Sequence, residues 1–214
     1  MTDRHPKAPR VPAHPLIDLQ SDEVAYAGRF AMQIVKFRYR KFDGAWSRTK
    51  TWELWRRGDG VMSLPYDPWT DRVALIEQFR LPALAAGLDP VMLECPAGLL
   101  EAHEDPAEAT SRETAEETGL VPDRYLSLGR FMLMQGGCDE ISHPAIARVR
   151  LPDLGRLPDA GLETEDESTR VIVVQAEEAF AMVADNRILN MPAAFCIQAL
   201  QLRRPVLRAE WTRP

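Results

Sequence analysis

The chain has 214 residues, 45% of them hydrophobic and 27% charged. A chain of this size buries about 70% of its unfolded surface, so it is expected to fold as one domain without disulfide staples. Its 26 basic and 32 acidic side chains leave a net charge of −6. That balance argues against the broad backbone binding of a basic nucleic-acid-binding domain, and it leaves open a small anion held through a metal ion.

The three cysteines, Cys95, Cys138 and Cys196, are far apart and form no CxxC pair. They read as free buried thiols in a reducing cytoplasm, not as a zinc site or disulfide framework. No apolar run reaches the length of about 18 residues that a membrane helix needs. The start, MTDRHPKAPRVPAHP, lacks the apolar stretch of a secretory signal.

In that stretch Pro6, Pro9, Pro12 and Pro15 recur at every third position. Such spacing suits an extended, solvated tail, expected over residues 1–20. From about Tyr26 the pattern turns to strands. FAMQIVKFRYRKF and AWSRTKTWELWRR flank Asp43-Gly44, a hairpin turn signal. GVMSLPYDP and DRVALIEQFR read as two further strands, and VMLECPAG as another that ends in a Pro/Gly turn. A helix is expected from about Pro106 to Thr118, with Asp105 as N-cap, Pro106 at the first position and Glu108 three residues after the cap. Gly119 and Pro122 mark its end. Strands around YLSLGRFMLM, ISHPAIARVR and TRVIVVQ follow, then helices at about Ala176–Ala184 and Pro192–Arg203. This interleaving is that of a mixed α/β or α+β fold, not a regular βαβ repeat.

The segment ECPAGLLEAHEDPAEATSRETAEETGL carries the chemistry. Glu113 and Glu117 stand four apart on one helix face, with Glu116 beside them. Like charges at this spacing destabilise a bare helix, and a cation held between them is the simplest compensation. Hard carboxylate oxygens select Mg²⁺ or Mn²⁺ over zinc or copper. Arg112, four residues from both Glu108 and Glu116, can fix a carboxylate's orientation. Taken alone, the same charges also fit a solvated helix face laced with ion pairs.

The wider spacing separates these readings. Gly98 is followed after five residues by Glu104, and after seven more by Arg112-Glu113, then Glu116, Glu117, Gly119 and Leu120. This resembles the Nudix box, GX5EX7REUXEEXGU, where U is a bulky aliphatic residue. Seven specified positions at about 7% usage each give roughly 10⁻⁸ per starting point. Thr114 departs from the pattern at the first U position, where its methyl is expected to pack at a small local cost.

The resemblance implies a Nudix hydrolase: an α/β/α sandwich on a mixed sheet that cleaves a diphosphate linked to another moiety, with divalent metal. Carried over by position, Glu113 and Glu117 would be the principal metal ligands, joined by the Ala97 carbonyl. Glu116 and Glu104 would support them, and Gly98 would line the substrate site. LIEQFR, the Gly136-Gly137 loop with Glu140, the acidic stretch 163–167 and NMPAAFCIQALQL are similar to the ADP-ribose pyrophosphatase branch. In that branch the base tends to come from a mobile acidic loop, which points to Glu165 as base and Glu167 as a further ligand. Arg80 would clamp a phosphate. Arg29 and Trp52 would sandwich the purine.

The expected organisation is a cytoplasmic enzyme with a flexible tail at 1–20, an N-terminal β extension at 21–57 and a hydrolase domain at 58–214. The extension, rich in Phe30, Phe37, Trp46, Trp52 and Trp55, is expected to pair with a second subunit in a homodimer. No nucleic-acid or membrane partner is expected. Gln135 stands where ADP-ribose pyrophosphatases commonly carry proline, and ECPAGLL also looks like the GDP-mannose branch. Both features weaken the ADP-ribose assignment; ADP-ribose, yielding AMP and ribose 5-phosphate, stays the expected substrate on the rest of the resemblance, with GDP-mannose or another nucleotide sugar as the alternative. A nucleotide-sensing module without catalysis is the reading of another class. It is disfavoured by the intact set of box carboxylates.

Overall fold

A computed structural model describes residues 8–153, 155–156 and 168–213. The chain divides into two compact units, residues 1–59 with 131–141, and residues 60–130 with 142–214.

The first unit is an antiparallel sheet of β1 (Ile17–Ala27), β2 (Ala31–Tyr39) and β3 (Lys50–Arg56), in that order. β2 and β3 are the expected strands, and Gly44 takes the left-handed φ of 81° that the turn between them requires. β1 is a departure, since Ile17–Gln20 were read as tail. Register with β2 over-rides the polar sequence of this edge, pairing Ile17 with Tyr39 and Leu19 with Phe37. Even the proline-spaced segment is partly tied down. Ala8 is buried, the Pro9 carbonyl accepts from Gln33 Nε2 at 3.1 Å, and the Val11 N–H donates to Asp22 at 2.9 Å.

The same unit includes the short strand β9 (Phe131–Met132) and the loop after it. The Trp55 N–H donates to the Gly137 carbonyl at 2.8 Å, and Asp139 returns an N–H to the Trp55 carbonyl at 3.2 Å.

The second unit is built on β4 (Gly60–Asp67), β5 (Arg72–Phe79), β6 (Val91–Glu94), β7 (Ala97–Leu99), β8 (Arg124–Ser127), β10 (Ile141–Arg148), β11 (Gly155–Arg156) and β12 (Arg170–Gln175). The main path runs β11-β12-β5-β4-β10-β8, with β6 on β5 and β7 on β4. β4 and β10 are parallel, while β10–β8, β11–β12, β12–β5, β4–β5, β4–β7 and β5–β6 are antiparallel, so the sheet is mixed, as expected. Every residue of β4 is buried, as a strand covered on both faces requires.

Alternation assigns the layers. Met62, Leu64, Tyr66, Val73 and Leu75 pack against α3 (Ala176–Ala184) and α4 (Met191–Trp211). Ala74, Ile76, Val171 and Val173 form a second cluster that includes Leu120, just beyond α2 (Pro106–Thr118). The α/β/α sandwich expected from the resemblance is thus the architecture of this unit.

The boundaries of α2 are as read from its caps. Asp105 accepts from the Ala107 N–H at 2.8 Å, and Gly119 closes the helix at φ 70° with its N–H on the Ala115 carbonyl. α4 instead runs eight residues past the expected Arg203, through Pro205. Proline removes one helical hydrogen bond, but the burial of Leu207 and Trp211 on the core side outweighs that loss. A short helix, α1 (Leu81–Ala85), was not foreseen. All three cysteines are free and buried, and contact with Cys196 together with burial pushes the Cys95 thiol up.

Candidate active site

Three short elements of the second unit meet at the carboxylates of α2: the turn before β7, β7 itself and α2. Glu117 is buried, and its Oε2 accepts from the Ala97 N–H at 2.8 Å. The turn that carries the Ala97 carbonyl is therefore anchored to one of the two expected principal ligands.

Arg112 gathers the others. Its Nε donates to Glu104 Oε1 at 2.8 Å and its Nη2 to Glu104 Oε2 at 2.9 Å. Its Nη1 donates to Glu113 at 2.7 Å and to Glu116 at 3.2 Å, and Nη2 also reaches the Leu99 carbonyl at 3.3 Å. One guanidinium thus holds three carboxylates, the orienting role read from the sequence. The ion pair keeps Glu104 below the usual carboxylate range. Burial pushes Glu113 upward in spite of Arg112.

Gly98 supplies space. A Cβ built there would lie 1.9 Å from the Glu113 carboxyl carbon, so any side chain at this position would require the Glu113 carboxylate to shift. Arg80 is held by the buried Glu94 through Nε at 3.0 Å and Nη2 at 2.7 Å. The pairing was not read from the sequence; strand register places Glu94 opposite Ile76, so it is the long Arg80 side chain that makes the contact.

The NUDIX domain family matches residues 57–189. The chain belongs to the Nudix family. It is 33% identical over 195 residues to the ADP-ribose pyrophosphatase of Escherichia coli, covering 91% of this chain and 92% of that one. The ADP-ribose pyrophosphatase of Haemophilus influenzae is 30% identical over 200 residues, 92% and 91% of the two chains. A GDP-mannose pyrophosphatase of Yersinia enterocolitica is 36% identical over 151 residues, 70% of this chain and 77% of its own. A crystal structure of an ADP compounds hydrolase superposes with a TM-score of 0.66 over 94% of this chain and 98% of that one, at 17% identity, and shares the fold. The chain is accordingly a hydrolase of the Nudix family, whose members generally depend on a divalent metal.

The Nudix box residues fit such a cation by their chemistry. The donors are carboxylates and one backbone carbonyl, all hard oxygens, and the Gly98 backbone leaves the Glu113 carboxylate room. Among the described residues, no three acidic, histidine or cysteine side chains surround a common point; the Arg112 guanidinium stands among three of the carboxylates instead. Thr114 corrects an expectation. It does more than pack a methyl, because its hydroxyl donates to the Thr110 carbonyl at 2.6 Å and meets the Ser63 hydroxyl at 2.6 Å.

Glu163, Glu165 and Glu167 lie outside the described residues. Just beyond them the Thr169 hydroxyl donates to the Glu117 carbonyl at 3.1 Å. Three expected substrate residues belong to the first unit. Arg29 is exposed, with its guanidinium 5.7 Å from the Phe30 ring centre. Trp52 is 53% exposed and stands edge-on to the buried Phe37, centroids 5.3 Å apart. Glu140 is buried and paired with Arg57 at 3.0 Å, yet burial still pushes its carboxyl up.

Of the five aromatics expected to form an exposed patch, Trp52 alone stays mostly exposed. Phe37 is buried and Phe30, Trp46 and Trp55 are half-buried. Arginine guanidinia cover their rings, Arg40 at 4.1 Å over Trp46 and Arg57 at 5.1 and 5.3 Å over Phe30 and Trp55. Among the described residues, no helix is long and apolar enough to cross a membrane.

Proposed function

We propose that the chain hydrolyses ADP-ribose to AMP and ribose 5-phosphate in the cytoplasm, with Mg²⁺ or Mn²⁺. The observation that carries this reading is the similarity to the E. coli ADP-ribose pyrophosphatase, which extends over both units, 91% of the chain. The GDP-mannose pyrophosphatase likeness covers 70%. Its higher identity makes GDP-mannose the second reading.

Glu113 and Glu117 would hold the metal with the Ala97 carbonyl, and Glu116 and Glu167 would complete the set. When bound, the cation polarises a phosphoryl oxygen and lowers the pKa of water. Glu165 takes a proton from water as the water oxygen bonds to one phosphorus; the bond from that phosphorus to the bridging oxygen breaks, and the other phosphate leaves with the bridging oxygen. Arg112 keeps three carboxylates oriented through the reaction. Arg80, fixed in direction by Glu94, clamps a phosphate. Arg29 and Trp52 stack on the purine, and Glu140 borders the substrate loop.

The enzyme works as a homodimer. The exposed Tyr26 and Phe42 of the first unit support pairing with a second subunit. Light scattering that returns a monomer at micromolar concentration refutes this part.

The decisive experiment is turnover with Mg²⁺ over ADP-ribose, GDP-mannose and dinucleotide substrates, reading released AMP or GMP. ADP-ribose should have the highest kcat/KM. A higher value for GDP-mannose reverses the assignment.

A further inference from the structure

Ser63, in the middle of β4, bonds to both arms of the Nudix box. Its backbone N–H donates to the Pro96 carbonyl at 2.9 Å, in the turn before Ala97. Its hydroxyl lies 2.6 Å from that of Thr114 on α2, with both side chains buried. Thr114 has one hydroxyl proton, and the Thr110 carbonyl takes it. The proton shared between the two hydroxyls is therefore Ser63's.

These bonds close a ring. From Ser63 it passes to Pro96, along the turn to Ala97, across to the Glu117 carboxylate, along the helix to Thr114 and back to Ser63. The turn and the helix carry the proposed metal-holding groups, and Ser63 is the strand residue that links them. Glu117 ties the far end of the helix, through its carboxylate to the Ala97 N–H and its carbonyl to the Thr169 hydroxyl, and Ser63 is the partner of the buried face one turn earlier. Thr110 and Thr118 spend their hydroxyls on carbonyls of their own chain segment, Pro106 and Thr114, and Ala109 has no polar group. Small side chains give weak directional packing, whereas a buried hydrogen bond between two hydroxyls constrains both distance and angle.

We infer that Ser63, with Thr114 as its acceptor, is a positioning residue for the reaction. It sets α2 against the turn so that Glu113 and Glu117 face the Ala97 carbonyl. The inference rests on the reading of those three groups as the metal site.

Thr114→Val keeps the shape and leaves the Ser63 hydroxyl without its acceptor. Ser63→Ala removes the donor, and the double variant removes both. Thr114→Ser keeps the hydroxyl. Each is measured for kcat and KM on ADP-ribose, for Mn²⁺ binding by the electron paramagnetic resonance of the free ion, and for thermal unfolding. In Thr114→Val, kcat should fall about tenfold with KM little changed, because a small misplacement of reacting groups has that effect. Mn²⁺ affinity should fall about fivefold, and Thr114→Ser should restore both. In the double variant the melting temperature should recover, since no buried hydroxyl is left unpaired, while kcat and Mn²⁺ affinity stay low. If the single variants change only the melting temperature, the pair is packing and the inference fails. If wild-type enzyme does not turn over ADP-ribose, the substrate assignment fails, and Mn²⁺ binding still decides the role of Ser63.

Discussion

The Glu113 carboxylate fills the space where a Cβ on Gly98 would stand, 1.9 Å from its carboxyl carbon. Gly98 and Glu113 are therefore one fitted pair, strand β7 against helix α2. Gly98→Ala must push Glu113 aside, and Arg112 with it, since Arg112 holds Glu113 at 2.7 Å. Activity should fall by about a hundredfold. The far-ultraviolet circular dichroism should be unchanged, because the φ of Gly98 is not left-handed.

Glu117→Gln removes the charge and keeps an oxygen for the Ala97 N–H. The fold should persist. Loss of a metal ligand should cost several kcal/mol of transition-state stabilisation, about three orders of magnitude in kcat. Near wild-type hydrolysis by this variant, measured at saturating Mg²⁺, would exclude the box as the site.

Glu165→Gln and Glu167→Gln separate the two proposed roles in the acidic segment. A base acts in the transition state, so Glu165→Gln should lower kcat far more than KM. Glu167→Gln should instead raise the Mg²⁺ concentration needed for half-maximal rate. Exchanged outcomes would exchange the assignments.

Trp52 is free to take a ring on its exposed face while its edge rests on Phe37. Trp52→Ala should raise KM for ADP-ribose about three- to tenfold and leave Mg²⁺ dependence alone. If KM holds and light scattering shows the dimer dissociating, Trp52 is interface packing.

Asp71 ties the β4–β5 turn to α4 by accepting from Arg204 and from Tyr66, the latter at 2.8 Å. Burial alone would raise its pKa, but Arg204 and Tyr66 outweigh it and hold the carboxyl below its usual 3.8. A depressed folded value means that the pair's stability is present above the ordinary pKa and is lost as pH falls through the folded one. Asp71→Asn should cost about 2 kcal/mol at pH 7. Asparagine accepts the left-handed φ of 58° there, so the backbone adds no strain. The gap in melting temperature between wild type and variant should close at pH values well below the usual carboxylate range.

The sequence by itself determined α2 to the residue, because its start and stop rest on local chemistry: Asp105, Pro106 and Gly119 act within a few residues of themselves. It also determined the box, since Glu113, Glu116 and Glu117 share a face through helical spacing alone. The hairpin turn at Gly44 was legible for the same reason. Tertiary structure decided what depends on a distant partner. β1 begins at Ile17 because β2 lies alongside it, and α4 survives Pro205 because Leu207 and Trp211 find a core. Glu94 and Arg80, 14 residues apart in sequence, meet only in three dimensions, and Arg112 could be placed beside Glu116 by spacing but not beside Glu104 and Leu99. Ser63 showed only as one polar residue in a buried strand. Its partner is 51 residues away on another element, and no local pattern encodes a contact whose geometry is set by how a helix lies on a sheet.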